Sequence, residues 1–128
     1  MAPISIQIVD DSKIFRKALR ELLSQEPESW IVCDEDSDGA EALAKAARHL
    51  PQVVLLDLSI RGMQGLNIAG EMKTRFPELA IVIMSAQDAS TLSLLAQHAG
   101  LRYVLAKSSL VSELFPMLRK IRQELAHP

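Results

Sequence analysis

The stretch Val53-Val54-Leu55-Leu56-Asp57 constrains the fold more than any other part of this sequence. It is entered through Pro51, and its unbroken apolar run ends in a single carboxylate. A short apolar run without polar alternation is typical of a strand that is buried on both faces of a parallel sheet. Asp57 is then expected at the carboxyl end of that strand, the edge where open α/β sheets bind ligands and carry out chemistry.

Short apolar runs of this kind alternate with amphipathic segments along the whole chain. The predicted strands cover 4–9, 30–33, 53–57, 79–84 and 102–106, and the helices follow Ser12, cover 40–50, 66–76 and 88–99, and begin again at Ser109. Five strand–helix repeats predict an α/β fold with a parallel sheet covered on both faces. Right-handed crossovers then favour a doubly wound, flavodoxin-like (βα)5 sheet in the order 2-1-3-4-5.

Helical periodicity gives more detailed predictions for the first and last helices. Ser12 is the expected N-cap of the first helix. Its predicted buried face comprises Ile14, Phe15, Ala18, Leu19 and Leu22, which leaves Arg16 and Arg20 pointing outward. In the last helix, Pro116 removes a backbone donor and crowds the carbonyl one turn earlier, so we expect either a kink or a late helix start.

Bulk properties exclude several classes of protein. The 128 residues suffice for one domain, predicted over 1–128. A net charge of −2 gives no general attraction to nucleic acid or to an anionic membrane. Cys33 is the single cysteine, so no internal disulfide can form. No signal peptide or membrane-spanning run is recognisable, and we therefore expect a cytoplasmic protein.

The predicted topology brings three carboxylates to one edge of the sheet. Its switch point lies between the first and third strands, so Asp10 and Asp11 should meet Asp57 there. Such a cluster requires a proton, a basic side chain or a metal ion. Lys107 follows the fifth strand and can supply one positive charge. An all-oxygen ligand set suits Mg²⁺ better than zinc, and no histidine–cysteine spacing suggests a zinc site.

A carboxylate beside Mg²⁺ and an ammonium group is suited to phosphoryl transfer. Asp57 can attack the phosphorus in line, while the metal ion and Lys107 neutralise the charge on the transferred oxygens. Ser85, at the end of the fourth strand, offers a hydroxyl that can hydrogen-bond the same oxygens. Each of these residues is a weak signal alone, and their joint placement carries the prediction.

The whole chain resembles the receiver domain of bacterial two-component response regulators, and its pattern is most similar to receivers of LuxR-type regulators. The matching residues are Val9-Asp10-Asp11-Ser12, Arg16, Leu19, Leu55-Leu56-Asp57-Leu58, Gly62-Met63, Gly65-Leu66, Ile83-Met84-Ser85-Ala86, Ala99-Gly100 and Lys107. The resemblance implies that Asp57 is the phosphoacceptor and that Lys107 and Ser85 hold the phosphoryl group. The Mg²⁺ ligands that it implies are Asp11 and Asp57 directly, Asp10 through water, and the backbone carbonyl of Ser59.

The resemblance also implies a signalling role. A sensor histidine kinase or phosphotransfer protein would donate the phosphoryl group, and the domain would catalyse only its own phosphorylation and dephosphorylation. Phosphorylation would switch the surface formed by helix 4, strand 5 and helix 5, which is also the expected homodimer contact. Direct binding to nucleic acid or to a membrane is not expected of this domain.

Several positions depart from the receiver pattern. Arg61 and Ser108 stand where receivers usually have proline. The usual aromatic switch position, three residues before the lysine, is Val104, and Tyr103 precedes it. Alternation along a strand sends these two side chains to opposite faces of the sheet. Gln87, two residues after Ser85, is expected to influence the lifetime of the phosphate, as is Ser59.

These departures keep an alternative open, in which the chain is a degenerate receiver that binds partners without being phosphorylated. Two enzyme classes fit less well. A flavin-binding domain requires a phosphate cradle after the first strand, where the acidic pair Asp10-Asp11 has the wrong charge. A phosphatase with an aspartate nucleophile usually has a second aspartate two residues later, where this chain has Ser59.

Overall fold

The computed structural model describes residues 2–59, 65–86, 89–98 and 100–127, in which strands and helices alternate. The strands are β1 (Ile4–Val9), β2 (Trp30–Asp36), β3 (Val53–Asp57), β4 (Ala80–Ser85) and β5 (Tyr103–Ala106). The helices are α1 (Lys13–Leu23), α2 (Gly39–His49), α3 (Gly65–Arg75), α4 (Ala89–His98) and α5 (Leu110–Ala126). A 3₁₀ turn over Lys107–Ser109 joins β5 to α5. Over the described part of the chain, no helix has the length and apolar character needed to cross a bilayer.

The five strands form one parallel sheet in the order β2-β1-β3-β4-β5, which confirms the predicted doubly wound topology. β1 pairs directly with β3, and their register places Val9 opposite Leu56. The next residues along these strands, Asp10 and Asp57, therefore leave the sheet side by side at its carboxyl edge. This pairing is the topological switch point at which α/β sheets place their sites.

Alternation along the buried strands divides the core between the two faces of the sheet. In β3, Val53 and Leu55 pack in the cluster that includes residues of α1 and α5. Val54 and Leu56 pack in the opposite cluster, with residues of α2, α3 and α4. All five residues of β3 are buried, as the uninterrupted apolar run predicts.

β2 is longer than the predicted strand over 30–33, which covers its apolar run. The strand continues through Asp34 and Glu35 to Asp36. It is an edge strand, so polar side chains can follow the apolar run while the backbone stays paired with β1. Val9 lies opposite Asp36 in that pairing, and the N–H of Asp10 donates to the Asp36 carbonyl at 3.0 Å. The polar end of β2 thus supports the start of the acidic cluster.

The predicted buried face of α1 is partly wrong. Ser12 is the N-cap, as expected, and its hydroxyl accepts a hydrogen bond from the N–H of Phe15. Ile14, however, is 84% exposed, and Ala18 is exposed too. The buried side instead runs through Leu19 and Leu23. Rotating the face in this way brings Arg16 inward as well, where the sequence pattern had placed it outward.

Pro116 lies within α5 and is exposed, on the side away from the apolar stripe. The buried stripe is Leu110, Leu114, Leu118 and Ile121. The expectation of a late helix start is wrong, since α5 begins at Leu110, well before the proline. A kink at this point remains a prediction.

Candidate functional site

The carboxylates of Asp10, Asp11 and Asp57 converge at the carboxyl edge of the sheet. One oxygen of each lies within 4.8 Å of the others. Asp10 and Asp57 are buried, with 0% and 5% exposure, whereas Asp11 is exposed. The structure therefore brings together the acidic residues that the sequence predicts to meet, and it leaves the cluster open to solvent on the side of Asp11.

Lys107 reaches this cluster from the end of β5. Its Nζ lies 2.7 Å from Asp10 Oδ2 and 3.7 Å from Asp57 Oδ1. The same ammonium lies 4.1 Å from the centre of the Phe15 ring, a cation–π contact from the first turn of α1. In this structure, Lys107 is therefore bound more closely to Asp10 than to Asp57.

Asp10 is held by its backbone as well as by its side chain. Its Oδ1 accepts the N–H of Ser12 at 2.8 Å, while Oδ2 accepts Lys107. The backbone N–H of Asp10 donates to the backbone carbonyl of Asp36, and the backbone carbonyl of Asp10 accepts a hydrogen bond from Nη1 of Arg16 at 2.5 Å. Each polar group of Asp10 is thus occupied by a neighbour in the protein.

Asp57 is held more loosely than Asp10. Its Oδ1 accepts the N–H of Ser59 at 3.3 Å, and Lys107 is its nearest cation among the described residues. Burial raises the pKa of the Asp57 carboxyl, and repulsion from Asp10 raises it further. Both effects act against the ionised form that a nucleophile requires.

The charge balance of the cluster suits a divalent cation. Among the described residues, Lys107 is the cation that pairs with this cluster, so three ionised carboxylates would leave two negative charges uncompensated there. The available donors are hard carboxylate oxygens, the ligands that Mg²⁺ prefers. In the part of the chain that the structure describes, this is the one group of three or more acidic, histidine or cysteine ligands close enough to share an ion. The residues present therefore fit a magnesium site.

Ser85 ends β4 beside this cluster. The register of β3 and β4 places Asp57 opposite Met84, so Ser85 is one residue further along the adjacent strand. Ser85 is buried, with 4% exposure. The predicted hydroxyl is thus at the same edge as the acidic residues, and Leu58 extends the strand pairing by donating to the Met84 carbonyl at 2.9 Å.

Tyr103 and Val104 point to opposite faces of the sheet, as strand alternation predicts. Tyr103 packs against the cluster on the α1 and α5 side, and its hydroxyl donates to Glu124 of α5. Val104 packs against the opposite cluster. Burial and the bond to Glu124 raise the pKa of Tyr103 to about 12. The tyrosine is therefore fixed to α5.

Two other positions singled out in the sequence, Arg61 and Gln87, lie outside the described part of the chain.

Gly65 fixes the chain after Asp57 in a way that the sequence did not reveal. Its N–H donates to the Leu58 carbonyl at 3.1 Å. A Cβ on this residue would lie 2.6 Å from the Leu58 carbonyl oxygen and 2.7 Å from that of Asp57. The absence of a Cβ at Gly65 therefore lets α3 begin against the backbone of Asp57 and Leu58.

Sequence reasoning also missed Phe15 and Arg16 as neighbours of the cluster. The side chains of a helix tilt toward its N-terminus, so residues of the first turn can reach back to the strand that precedes it. The N-cap at Ser12 is the signal that could have located them, because it fixes which residues form that turn.

Comparison with known proteins gives a consistent match. A family model described as response regulator receiver domain matches residues 6–119. A protein-glutamate methylesterase/protein-glutamine glutaminase of Desulfitobacterium hafniense is 37% identical over 110 residues, which are 84% of this chain and 28% of that protein. The nitrate/nitrite response regulator protein NarP of Escherichia coli is 37% identical over 89 residues, or 70% of this chain and 41% of NarP.

A solved structure gives the same answer for the fold. The two-component response regulator of the LuxR family from Aurantimonas sp. is 26% identical, with a TM-score of 0.79, and the match covers 98% of this chain and 96% of that one. The chain spans less than half the length of the two curated relatives. The similarity therefore concerns one part of those proteins.

Proposed function

The chain belongs to the family of response regulator receiver domains, and on that premise we propose that it accepts a phosphoryl group on Asp57. The observation that carries the proposal is the meeting of three carboxylates with the ammonium of Lys107 at one edge of the sheet. A nucleophile, a set of metal ligands and a cation for the transferred oxygens are the parts that phosphoryl transfer requires. The donor is a sensor histidine kinase or a phosphotransfer protein in the cytoplasm.

In the proposed reaction, a carboxylate oxygen of Asp57 attacks the phosphorus of a phosphohistidine. The phosphorus–nitrogen bond breaks, and its electron pair leaves with the imidazole nitrogen. Lys107 is close enough to Asp57 to pair with the new phosphoryl oxygens, and Ser85 is proposed to hydrogen-bond them. Attack by water on the phosphorus of the acyl phosphate would break its bond to the Asp57 oxygen, release inorganic phosphate and regenerate the free carboxylate.

We assign the magnesium ligands to Asp11, Asp57 and the carbonyl of Ser59, with Asp10 reached through water. When bound, Mg²⁺ would neutralise charge on the phosphoryl oxygens. Asp10 contributes chiefly by fixing Lys107, because both of its carboxylate oxygens already accept protein donors. The open side at Asp11 is the natural entrance for the ion and its waters.

Labelling with a small phosphodonor tests the acceptor directly. In the presence of Mg²⁺, acetyl phosphate should add one phosphoryl group to the wild-type domain, and intact-mass spectrometry should detect none on Asp57→Asn. The control is Asp34→Asn, which alters a carboxylate of β2 that contacts His49. That variant should be labelled like the wild type, and undiminished labelling of Asp57→Asn would refute the assignment.

Phosphorylation is proposed to alter the surface formed by α4, β5 and α5, and a homodimer is proposed to use the same surface. The bond between Tyr103 and Glu124 supports a link between β5 and α5. Val104 at the usual aromatic position favours the alternative, a degenerate receiver that binds partners without phosphorylation. Mg²⁺ binding separates the two, since a degenerate cluster should give no shift in the amide resonances near Asp57.

A further inference from the structure

We propose that Arg16 is a positioning residue for the acidic cluster, which it organises through the backbone of Asp10. Its Nη1 donates to the backbone carbonyl of Asp10 at 2.5 Å, so a side chain of α1 is bonded to the residue that follows β1. A guanidinium donor makes this a charge-assisted hydrogen bond, stronger than one between neutral groups. The inference rests on the proposed function, since it concerns how the same site is kept in shape for Mg²⁺ and phosphoryl transfer.

The orientation of Asp10 determines where Lys107 lies. Asp10 is fully buried, and its Oδ2 is the nearest acidic oxygen to the Lys107 ammonium. Its backbone is fixed on both sides, by Asp36 at the N–H and by Arg16 at the carbonyl. Loss of the Arg16 bond would loosen the peptide that joins Asp10 to Asp11, and so the backbone from which both of these carboxylates extend.

Arg16 is itself held in place by the end of β2. Its Nε lies 3.5 Å from Glu35 Oε1, and its side chain is 16% exposed. Arg20, one helical turn later, contacts the same glutamate at 2.5 Å but is 50% exposed. Among the described residues, the hydrogen bonds and ion pairs of the Arg20 side chain reach Glu35 and not Asp10. Arg20 is therefore a matched control that shares the partner of Arg16 and lacks its contact with the site.

The test compares Mg²⁺ affinity in Arg16→Gln, Arg16→Lys and Arg20→Gln. Amide NMR shifts of Asp11, Ser12 and Ser59 during Mg²⁺ titration give the dissociation constant without requiring phosphorylation. Arg16→Gln should weaken binding about tenfold, the lower end of the effect of removing a residue that orients metal ligands. Arg16→Lys should recover part of this loss, because a lysine keeps the charge but not the forked geometry.

The control defines what a merely structural role would look like. Arg20→Gln should leave Mg²⁺ affinity within about twofold of the wild type, because it removes only an exposed ion pair. An Arg16→Gln dissociation constant equal to that of the wild type, or an equal loss in Arg20→Gln, would overturn the inference. If Arg16→Gln does not fold, the Mg²⁺ dissociation constant of Arg16→Lys serves instead. A value weaker than that of the wild type supports the inference, and an equal value overturns it.

The wild-type titration keeps the two proposals apart. If the wild type binds no Mg²⁺, the proposed function fails, and the role of Arg16 in shaping a Mg²⁺ site fails with it. If the wild type binds Mg²⁺ and is phosphorylated while Arg16→Gln and Arg16→Lys match it, only the role of Arg16 fails.

Discussion

Two buried aspartates, Asp36 at the end of β2 and Asp57 at the end of β3, occupy very different surroundings. Asp36 is 2% exposed, its Oδ2 accepts Nε2 of Gln7 at 2.9 Å, and its Oδ1 lies 3.0 Å from Nζ of Lys45. Asp57 is also buried, with 5% exposure. The contacts described for its carboxylate are an N–H at 3.3 Å and an ammonium at 3.7 Å, and two further carboxylates lie beside it.

The difference separates a carboxylate that stabilises the fold from one that is available for chemistry. One oxygen of Asp36 accepts a hydrogen bond from Gln7 and the other is in an ion pair with Lys45, so its charge is balanced within the protein. Among the described residues, Asp57 shares the ammonium of Lys107 with Asp10. Burial raises the pKa of Asp57, and repulsion from Asp10 raises it further. Buried charge without a full set of partners costs stability, and such groups cluster at functional sites.

The largest effect that this comparison predicts is the loss of stability on removing Asp36. Asp36→Ala leaves Gln7 with a lost partner and Lys45 without its main counter-ion, so the free energy of unfolding should fall by about 3 kcal/mol. Urea denaturation followed by circular dichroism measures this. The matched change Asp34→Ala removes a partner of the half-exposed His49 and should cost no more than about 1 kcal/mol. Similar losses in the two variants would remove the distinction.

The comparison predicts the opposite sign for Asp57. Asp57→Asn keeps an oxygen for the N–H of Ser59 and removes repulsion from Asp10 and Asp11, so the variant should be more stable than the wild type at neutral pH without Mg²⁺. The raised pKa of Asp57 fixes the pH dependence. The native state binds this proton more tightly than the unfolded chain, so protonation favours folding and the wild type loses stability as the pH rises through the raised pKa.

Denaturation midpoints measured from acid to neutral pH should therefore show the advantage of Asp57→Asn growing with pH and then levelling off. Mg²⁺ should narrow or reverse the stability advantage of Asp57→Asn, because the ion stabilises the folded wild type, which binds it. At a Mg²⁺ concentration one hundred times the dissociation constant, this stabilisation is about 2.7 kcal/mol. An advantage that is greatest in acid, or a wild type that gains no stability from Mg²⁺, would contradict the contrast between the two aspartates.

The residues that define this contrast differ in how far the sequence predicts them. Asp57, Asp10 and Lys107 each follow a short apolar run, and the rules for parallel sheets place the ends of such runs at one edge. Asp36 does not directly follow an apolar run, because the polar residues Asp34 and Glu35 stand between it and the apolar residues of the predicted strand. Only pairing with β1 shows that β2 continues to this residue.

The neighbours of the cluster were predicted less well, for a related reason. Periodicity ranks residues by their preference for burial, and on that basis Ile14 belonged inside and Arg16 outside. The first turn of α1 lies at the edge of the sheet, where Ile14 is left exposed and Arg16 finds the carbonyl of Asp10. The balance between an apolar side chain and a charged one at such an edge depends on tertiary contacts that local pattern does not encode.

The smallest predicted effect concerns how the two aspartates hold their lysines. Lys45 is bound by the carboxylates of Asp36 and Glu41, whereas Lys107 also lies over the ring of Phe15. A ring attracts an ammonium without adding negative charge, so it can hold Lys107 near Asp57 and still let it move toward a phosphoryl group. Phe15→Leu should slow labelling by acetyl phosphate about fivefold, equivalent to about 1 kcal/mol for a partly buried cation–π contact.

The control for this variant is Phe115→Leu in α5, which removes an aromatic ring that stacks on Trp30 and contacts Arg119. Trp30 begins β2 at the opposite end of the sheet from Asp57, so this change should lower stability and leave the labelling rate unchanged. If both variants slow labelling equally, the effect of Phe15 is a general consequence of lost packing. If neither does, then the carboxylates alone fix Lys107, and the two lysines are held in the same way.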